Sequence, residues 1–294
     1  MRVFLTGATG FIGSAIIPEL TGAGHQVVGL ARTNEGAKLL TDLGVEAHRG
    51  ELTDLDSLRS GAATADAVIH TAFIHDFSNF QQNCEIDRKA IEALGSALVG
   101  SNKPLIVTSG LALLVKGRAA TEKDPPLPVS VSYPRASEEA ASALEKRGVR
   151  TIVVRLPQVH DTAKQGLVTY AINIAREKGA SAYIGNGENR WAAAHVLDVA
   201  RLYRLVLEKG HAGARYHAVA EEGVPAREIA EAIGRGLNVE VKSLSPEQAA
   251  GHFGWFAMFA GLDITGLSEQ TRRQLGWNPT GPGLITDLTN MRYS

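Results

Sequence analysis

Cysteine is almost missing from this 294-residue chain, in which Cys84 stands alone. That excludes an internal disulfide framework and leaves no cysteine cluster for a metal. Cys84 itself is expected to be a small buried or half-buried residue, and the usage fits a reducing, cytoplasmic compartment. An excess of charge of either sign is also absent. The chain has 30 basic residues against 31 acidic ones, mixed in sign along its length. It therefore has no electrostatic footprint for nucleic acid or an anionic membrane, and neither is an expected partner. Long apolar runs are lacking: residues 253–262 are too few to cross a bilayer and are interrupted by glycines. The chain opens directly in an apolar strand, so no secretory signal is expected. There is no repeat or low-complexity tract, and no H-x-H, H-E-x-x-H or C-x-x-C spacing, so no metal is expected.

What is present begins at the N-terminus. MRVFLTGATGFIG places an apolar strand, Val3 to Leu5, before Gly7, Gly10 and Gly13, and Ile12, Ile16, Ile17 and Leu20 share one face of the following helix. Gly7 permits a tight turn, Gly10 lets backbone amides approach a pyrophosphate, and Gly13 lets helix and strand pack closely. The free amides and positive end of the helix supply the anion site, with Thr9, Phe11 and Ile12 in the same turn. A glycine trio alone also fits an ordinary turn. Here a second strand at residues 26–30 completes a βαβ unit of the length a dinucleotide site needs.

The end of that second strand separates the cofactors. An NAD site normally places an acid there for the ribose 2′-OH, but the position is Ala31 and Arg32 follows it. Arg32 can pair bidentately with a 2′-phosphate and Thr33 can add a hydroxyl, so NADP is expected over NAD. The alternative keeps Arg32 as a solvated cation, with Glu35 reaching back to a 2′-OH.

Strands then alternate with helices. Strands are expected at 45–48, 67–70, 105–108 and 151–156, and helices at 35–43, 55–61, 85–99 and 137–146. This alternation predicts an α/β, Rossmann-type, doubly wound parallel sheet with a small C-terminal substrate-side region. Residues 1–165 form the expected dinucleotide-binding domain, with segments of 188–220 returning to it, and 166–294 are mainly substrate-side. Chemistry in such a sheet lies beyond the carboxyl ends of the strands, at residues 70–73, 108–110 and 157–161.

These segments together resemble the extended short-chain dehydrogenases/reductases, the NAD-dependent epimerase/dehydratase-like group. The resemblance rests on TGATGFIG (Thr6 to Gly13), GELTD (Gly50 to Asp54), VIHTA (Val68 to Ala72), VTSG (Val107 to Gly110), RLPQVH (Arg155 to His160) and AHVLDVARL (Ala194 to Leu202). It implies that Glu51 and Leu52 lie near the adenine. It places Ala72 and Phe73 along the ribose and pyrophosphate path, and Pro157 in the wall beside the nicotinamide. A homodimer is also what the resemblance implies.

The catalytic positions depart from the family pattern. The family uses a Tyr-x-x-x-Lys pair in which lysine lowers the tyrosine pKa and holds the ribose, with a Ser or Thr polarising the substrate oxygen. Here Ser109 precedes Tyr133 by 24 residues, close to the family separation, but the fourth residue after Tyr133 is Ser137 and the next is Glu138. Without lysine, Tyr133 is expected to titrate near an ordinary phenol, at about 10, a poor base but still a proton donor. It is alternatively an amphipathic residue at a helix start. His75, His160 and His195 compete as proton relays, each with a structural role as its alternative.

Phe253, Trp255, Phe256, Met258 and Phe259 are either a packed helix face or an apolar lid. The expected activity is NADP(H)-dependent reduction of a small, largely apolar carbonyl substrate. The alternatives are a sugar-like epimerase/dehydratase reaction and a non-catalytic NAD(P)-binding sensor or scaffold.

Overall fold

A computed structural model of the chain describes every residue except Leu113, Ser132 and Ser294. Its strands in chain order are β1 (Arg2–Thr6), β2 (Gln26–Ala31), β3 (Glu46–Arg49), β4 (Ala67–His70), β5 (Pro104–Gly110), β6 (Arg150–Leu156), β7 (Gln158–His160), β8 (Ala180–Ile184), β9 (Arg190–His195), β10 (Arg215–His217), β11 (Glu221–Pro225) and β12 (Glu240–Leu244). Seven form one sheet in the order β3-β2-β1-β4-β5-β6-β10. All its neighbours pair parallel. β1, β4 and β5 are almost wholly buried, as a sheet covered on both faces requires. The order reverses between β1 and β4, so their carboxyl ends open a crevice there.

The principal helices are α1 (Phe11–Gly22), α2 (Asn34–Asp42), α3 (Leu55–Ala63), α4 (Phe80–Ser96), α5 (Ser137–Glu145), α6 (Val168–Lys178), α7 (Val196–Lys209), α8 (Ala226–Leu237) and α9 (Pro246–Phe253). Ile16, Ile17 and Leu20 of α1 join Val199, Leu202 and Val206 of α7 on one face of the large sheet. Leu58, Ile91, Leu94 and Leu144, from α3, α4 and α5, cover the other. Each such buried aliphatic side chain contributes about 1.5–3 kcal/mol of transfer free energy. A third cluster joins α6, β9 and α9 through Ile172, Trp191, Phe253, Phe256 and Phe259, with Leu284 and Leu288 near the C-terminus.

Local chemistry moves several expected boundaries. α4 starts at Phe80 rather than residue 85 because a single 3₁₀ turn, Phe77–Asn79, feeds it. The Asp76 carboxylate holds that turn, accepting from the Ser78 amide at 3.0 Å and from Asn79 Nδ2 at 2.9 Å. The segment after Pro157, expected as loop, includes β7, which pairs in parallel with β9. His195 caps α7 through Nδ1, while buried Asp198 in its first turn accepts from the amides of Thr280 and Gly281.

Candidate active site

A cleft of about 920 Å³ opens where β1, β4, β5 and β6 end. That volume lies near the top of the range for ligand clefts. Gly7, Thr9, Gly10, Phe11, Ile12 and Gly13 line it from the first turn, and Arg32, Glu51 and Leu52 from the ends of β2 and β3. Ala72 and Phe73 line it after β4, Ser109 from β5, Tyr133 from the segment before α5, and Pro157 after β6. Fourteen side chains or backbone positions named from the sequence thus meet in one concavity.

The glycine turn has the shape a dinucleotide phosphate requires. Gly7 lies at φ +72°, in the left-handed region, where a Cβ would also stand 2.7 Å from Thr71 Oγ1. A Cβ on Gly13 would fall 2.1 Å from the Gly7 carbonyl oxygen, so the helix approaches the strand only because no side chain intervenes. Gly10 is the N-cap of α1, and no side chain caps the helix. Its first amides therefore face the cleft as donors for an anion. These residues fit a dinucleotide.

At the adenosine end, Arg32 is exposed. The Thr33 hydroxyl accepts from the Gly36 amide at 3.1 Å, capping α2. The Glu35 backbone amide, and after it the Thr33 hydroxyl, hold the Glu35 carboxyl below its ordinary range. Arg49, which sequence reading passed over, donates to the carbonyls of Arg32 and Thr33 and brings a second guanidinium to this corner. The signal for it was its position at the end of β3, beside the end of β2.

Tyr133 is half-buried, and its backbone exchanges hydrogen bonds with Ser130 at 2.9 and 3.1 Å. Burial pushes its phenol up, opposed first by the Arg135 guanidinium. Ser109 is buried on the side of the cleft where Glu138 lies, and its hydroxyl helps hold that carboxyl below its ordinary range. Glu138 is itself locked by Arg155 at 2.8 and 2.9 Å and by Arg215 at 3.0 Å. The place four residues after Tyr133 is closed to a long cation: Ser137 is fully buried and donates to Asp87 at 2.6 Å. Asp87 also accepts from His70 Nε2 at 3.1 Å, and the Thr6 hydroxyl lies 2.8 Å from His70 Nδ1. With Nε2 as the donor, His70 accepts from Thr6, and the chain of bonds is satisfied throughout.

The three histidines separate by location. His75 lines the cleft with an exposed ring, edge-on to Phe73 and Phe77, and the protein packed around it, with the nearby Arg135, lowers its pKa. His160 is buried and bonds Asp287 at 2.7 Å, while His195 caps α7 and packs edge-on against His160. Neither lines the cleft; both face the C-terminal helix Leu284–Asn290.

The aromatic segment 253–259 is divided between the core and the cleft. Phe253, Phe256 and Phe259 are buried, while Met258 and Phe259 line the cleft. Trp255 stacks on Phe77 at 4.9 Å, and Phe77, Phe80 and Tyr170 extend the aromatic wall. Two further cations line the cleft and were missed from sequence. Arg135 sits 4.7 Å above the Phe73 ring, and Lys164 lies 5.7 Å from the centre of Phe11.

A family model described as NAD dependent epimerase/dehydratase family matches residues 3–220. An uncharacterized protein of Schizosaccharomyces pombe is 46% identical over 299 residues, covering 100% of both chains. The sterol-4-alpha-carboxylate 3-dehydrogenase, decarboxylating, of Dictyostelium discoideum is 26% identical, covering 78% of this chain and 74% of its own. Among solved structures, the Thermus thermophilus UDP-glucose 4-epimerase complex with NAD aligns with a TM-score of 0.76 at 22% identity, covering 99% of this chain and 97% of that one. That likeness shows the fold.

Proposed function

Because the chain belongs to the NAD dependent epimerase/dehydratase family, we propose that it is an NADPH-dependent reductase of a small, largely apolar carbonyl compound. The observation that carries this reading is the shared cleft: a glycine turn suited to phosphate, Tyr133 and Ser109, and an aromatic wall all line it. Bound NADPH supplies a hydride to the carbonyl carbon. Tyr133 gives its proton to the carbonyl oxygen as that carbon is reduced, which forms the alcohol and leaves a phenolate to be reprotonated from water. Ser109 lines the same cleft and donates to the same oxygen, while the neighbouring Glu138 stays bonded to Arg155 and Arg215. Arg32 takes the 2′-phosphate, with Arg49 holding the strand end beneath it.

The apolar substrate follows from the walls. Phe73, Phe77, Phe80, Tyr170 and Phe259 present ring surface to the cleft, and one of the relatives is named for a sterol carboxylate, whose ring system is apolar. A sugar diphosphate needs clustered cations on the substrate side, whereas Arg135 and Lys164 lie against separate rings.

The test is NADPH consumption with a panel of apolar ketones and aldehydes. Tyr133→Phe is expected to lower turnover at least tenfold while leaving NADPH affinity unchanged. Unchanged turnover removes Tyr133 from the chemistry. NADPH binding without turnover across carbonyl, alcohol and sugar-nucleotide panels overturns the reductase reading in favour of a sensor.

A further inference from the structure

We propose that Arg135 takes over the electrostatic work of the missing lysine, acting through Tyr133 as a positioning residue. This rests on the reading of Tyr133 as proton donor. Transferring that proton leaves a phenolate, and a fixed positive charge beside it makes the phenol a stronger acid. Lysine is absent from its usual place, and that space is occupied by Ser137, turned inward to Asp87 at 2.6 Å. A cation therefore has to reach Tyr133 from elsewhere.

Arg135 is the cation placed to do so. It is two residues from Tyr133, and both line the cleft. Its guanidinium is held from two sides, by the Phe73 ring at 4.7 Å and by Nε donating to Ser137 Oγ at 3.3 Å. The residue that displaced lysine thus anchors its replacement, and the Ser137–Asp87–His70–Thr6 chain fixes that anchor to β1 and β4. Among the described residues, no carboxylate stands within ion-pair distance of Arg135, so its charge is not neutralised by a direct partner. Arginine stays protonated throughout the working range and stacks on aromatic faces, which lysine does less well.

Other charges act on the same phenol. Glu138 on α5 and Cys84 on α4 oppose its ionisation, Arg155 on β6 favours it, and burial is the largest obstacle. Arg135 is the strongest of the charges that favour it. Arg155 is committed to Glu138, which leaves Arg135 as the cation free to respond.

The experiment follows tyrosinate absorbance with rising pH in the protein without cofactor, using Tyr133→Phe to assign the Tyr133 step and circular dichroism to confirm the fold at each pH. Arg135→Gln is expected to weaken Tyr133 ionisation at least tenfold, a rise of one pH unit or more, whereas Arg135→Lys keeps the step near the parent's. A Tyr133 step no lower in the parent than in Arg135→Gln overturns the proposal. With a neutral ketone, Arg135→Gln is expected to lower kcat at least tenfold and to leave KM within twofold. A change confined to KM would make Arg135 a substrate-binding residue instead. Because the titration needs neither cofactor nor substrate, failure of NADPH to bind would overturn the reductase reading alone.

Discussion

Gly13 shows how a single residue carries function through an absent atom. Its missing Cβ leaves room for the Gly7 carbonyl, at a distance where backbone cannot yield. Gly13→Ala is expected to lower NADPH affinity at least tenfold and to reduce stability, read by a binding titration and by thermal unfolding; an alanine variant that binds normally would refute the close approach. Arg32 makes a claim of different kind, since it is exposed and carries charge rather than shape. Arg32→Ala is expected to weaken NADPH binding at least tenfold and NADH binding little, and equal affinity of the parent for both would remove the cofactor preference. The glycines were legible in sequence because backbone geometry leaves no other residue type for them. Arg135 was not, because its partners Phe73 and Ser137 come from segments that only the fold brings together. The absence of the lysine was visible, but not what stands in its place.

Among the elements, the central strands β1, β4, β5 and β6 of the large sheet were legible because they are largely apolar and buried and bounded by turn residues. β7, β11 and β12 were not. They are three to five residues long, and β12 is mostly exposed and polar, so neither a buried run nor a strict alternation marked them. The joint of β5, β6, β10 and α5 is held by buried charge: Glu138 accepts from Arg155 and Arg215. Glu138→Ala leaves the Arg155 guanidinium buried and unpaired, and is expected to cost about 3–5 kcal/mol in denaturant unfolding. A loss under about 1 kcal/mol would show that water or a rearranged Arg155 compensates.

His217 at the end of β10 gives the same joint a pH dependence. Its Nδ1 donates to the Leu267 carbonyl at 2.9 Å and its Nε2 accepts from Arg155 at 3.3 Å, so protonation would set two cations against each other. Burial, assisted by Arg155, pushes its pKa down to about 4. A histidine depressed in the folded state binds its proton only on unfolding. Its contribution is therefore complete above the unfolded value of about 6.5 and is lost as pH falls towards 4. Stability is expected to fall between pH 6.5 and 4 by about 3 kcal/mol from this group, and His217→Gln is expected to flatten that part of the profile. An identical slope in the variant would assign the effect to other groups.

At the scale of the whole molecule, two packed regions enclose one cleft. The cofactor half follows from its sequence pattern, because phosphate binding requires backbone amides at a helix start, and few sequences provide that turn. The C-terminal region is less legible. Its aromatics serve the core and the wall at once, as Phe259 does by packing in the third cluster and lining the cleft. Aromatic composition alone does not divide those roles, and it names no substrate beyond an apolar one.

The most direct measurement is isotopic. The purified protein is incubated with NADPH carrying deuterium at the transferable position of its nicotinamide and with a panel of apolar ketones, and the products are weighed by mass spectrometry. An alcohol bearing one deuterium on its carbinol carbon, lost with Tyr133→Phe, is the expected result. NADPH that binds but delivers deuterium to no ketone would contradict the reductase proposal.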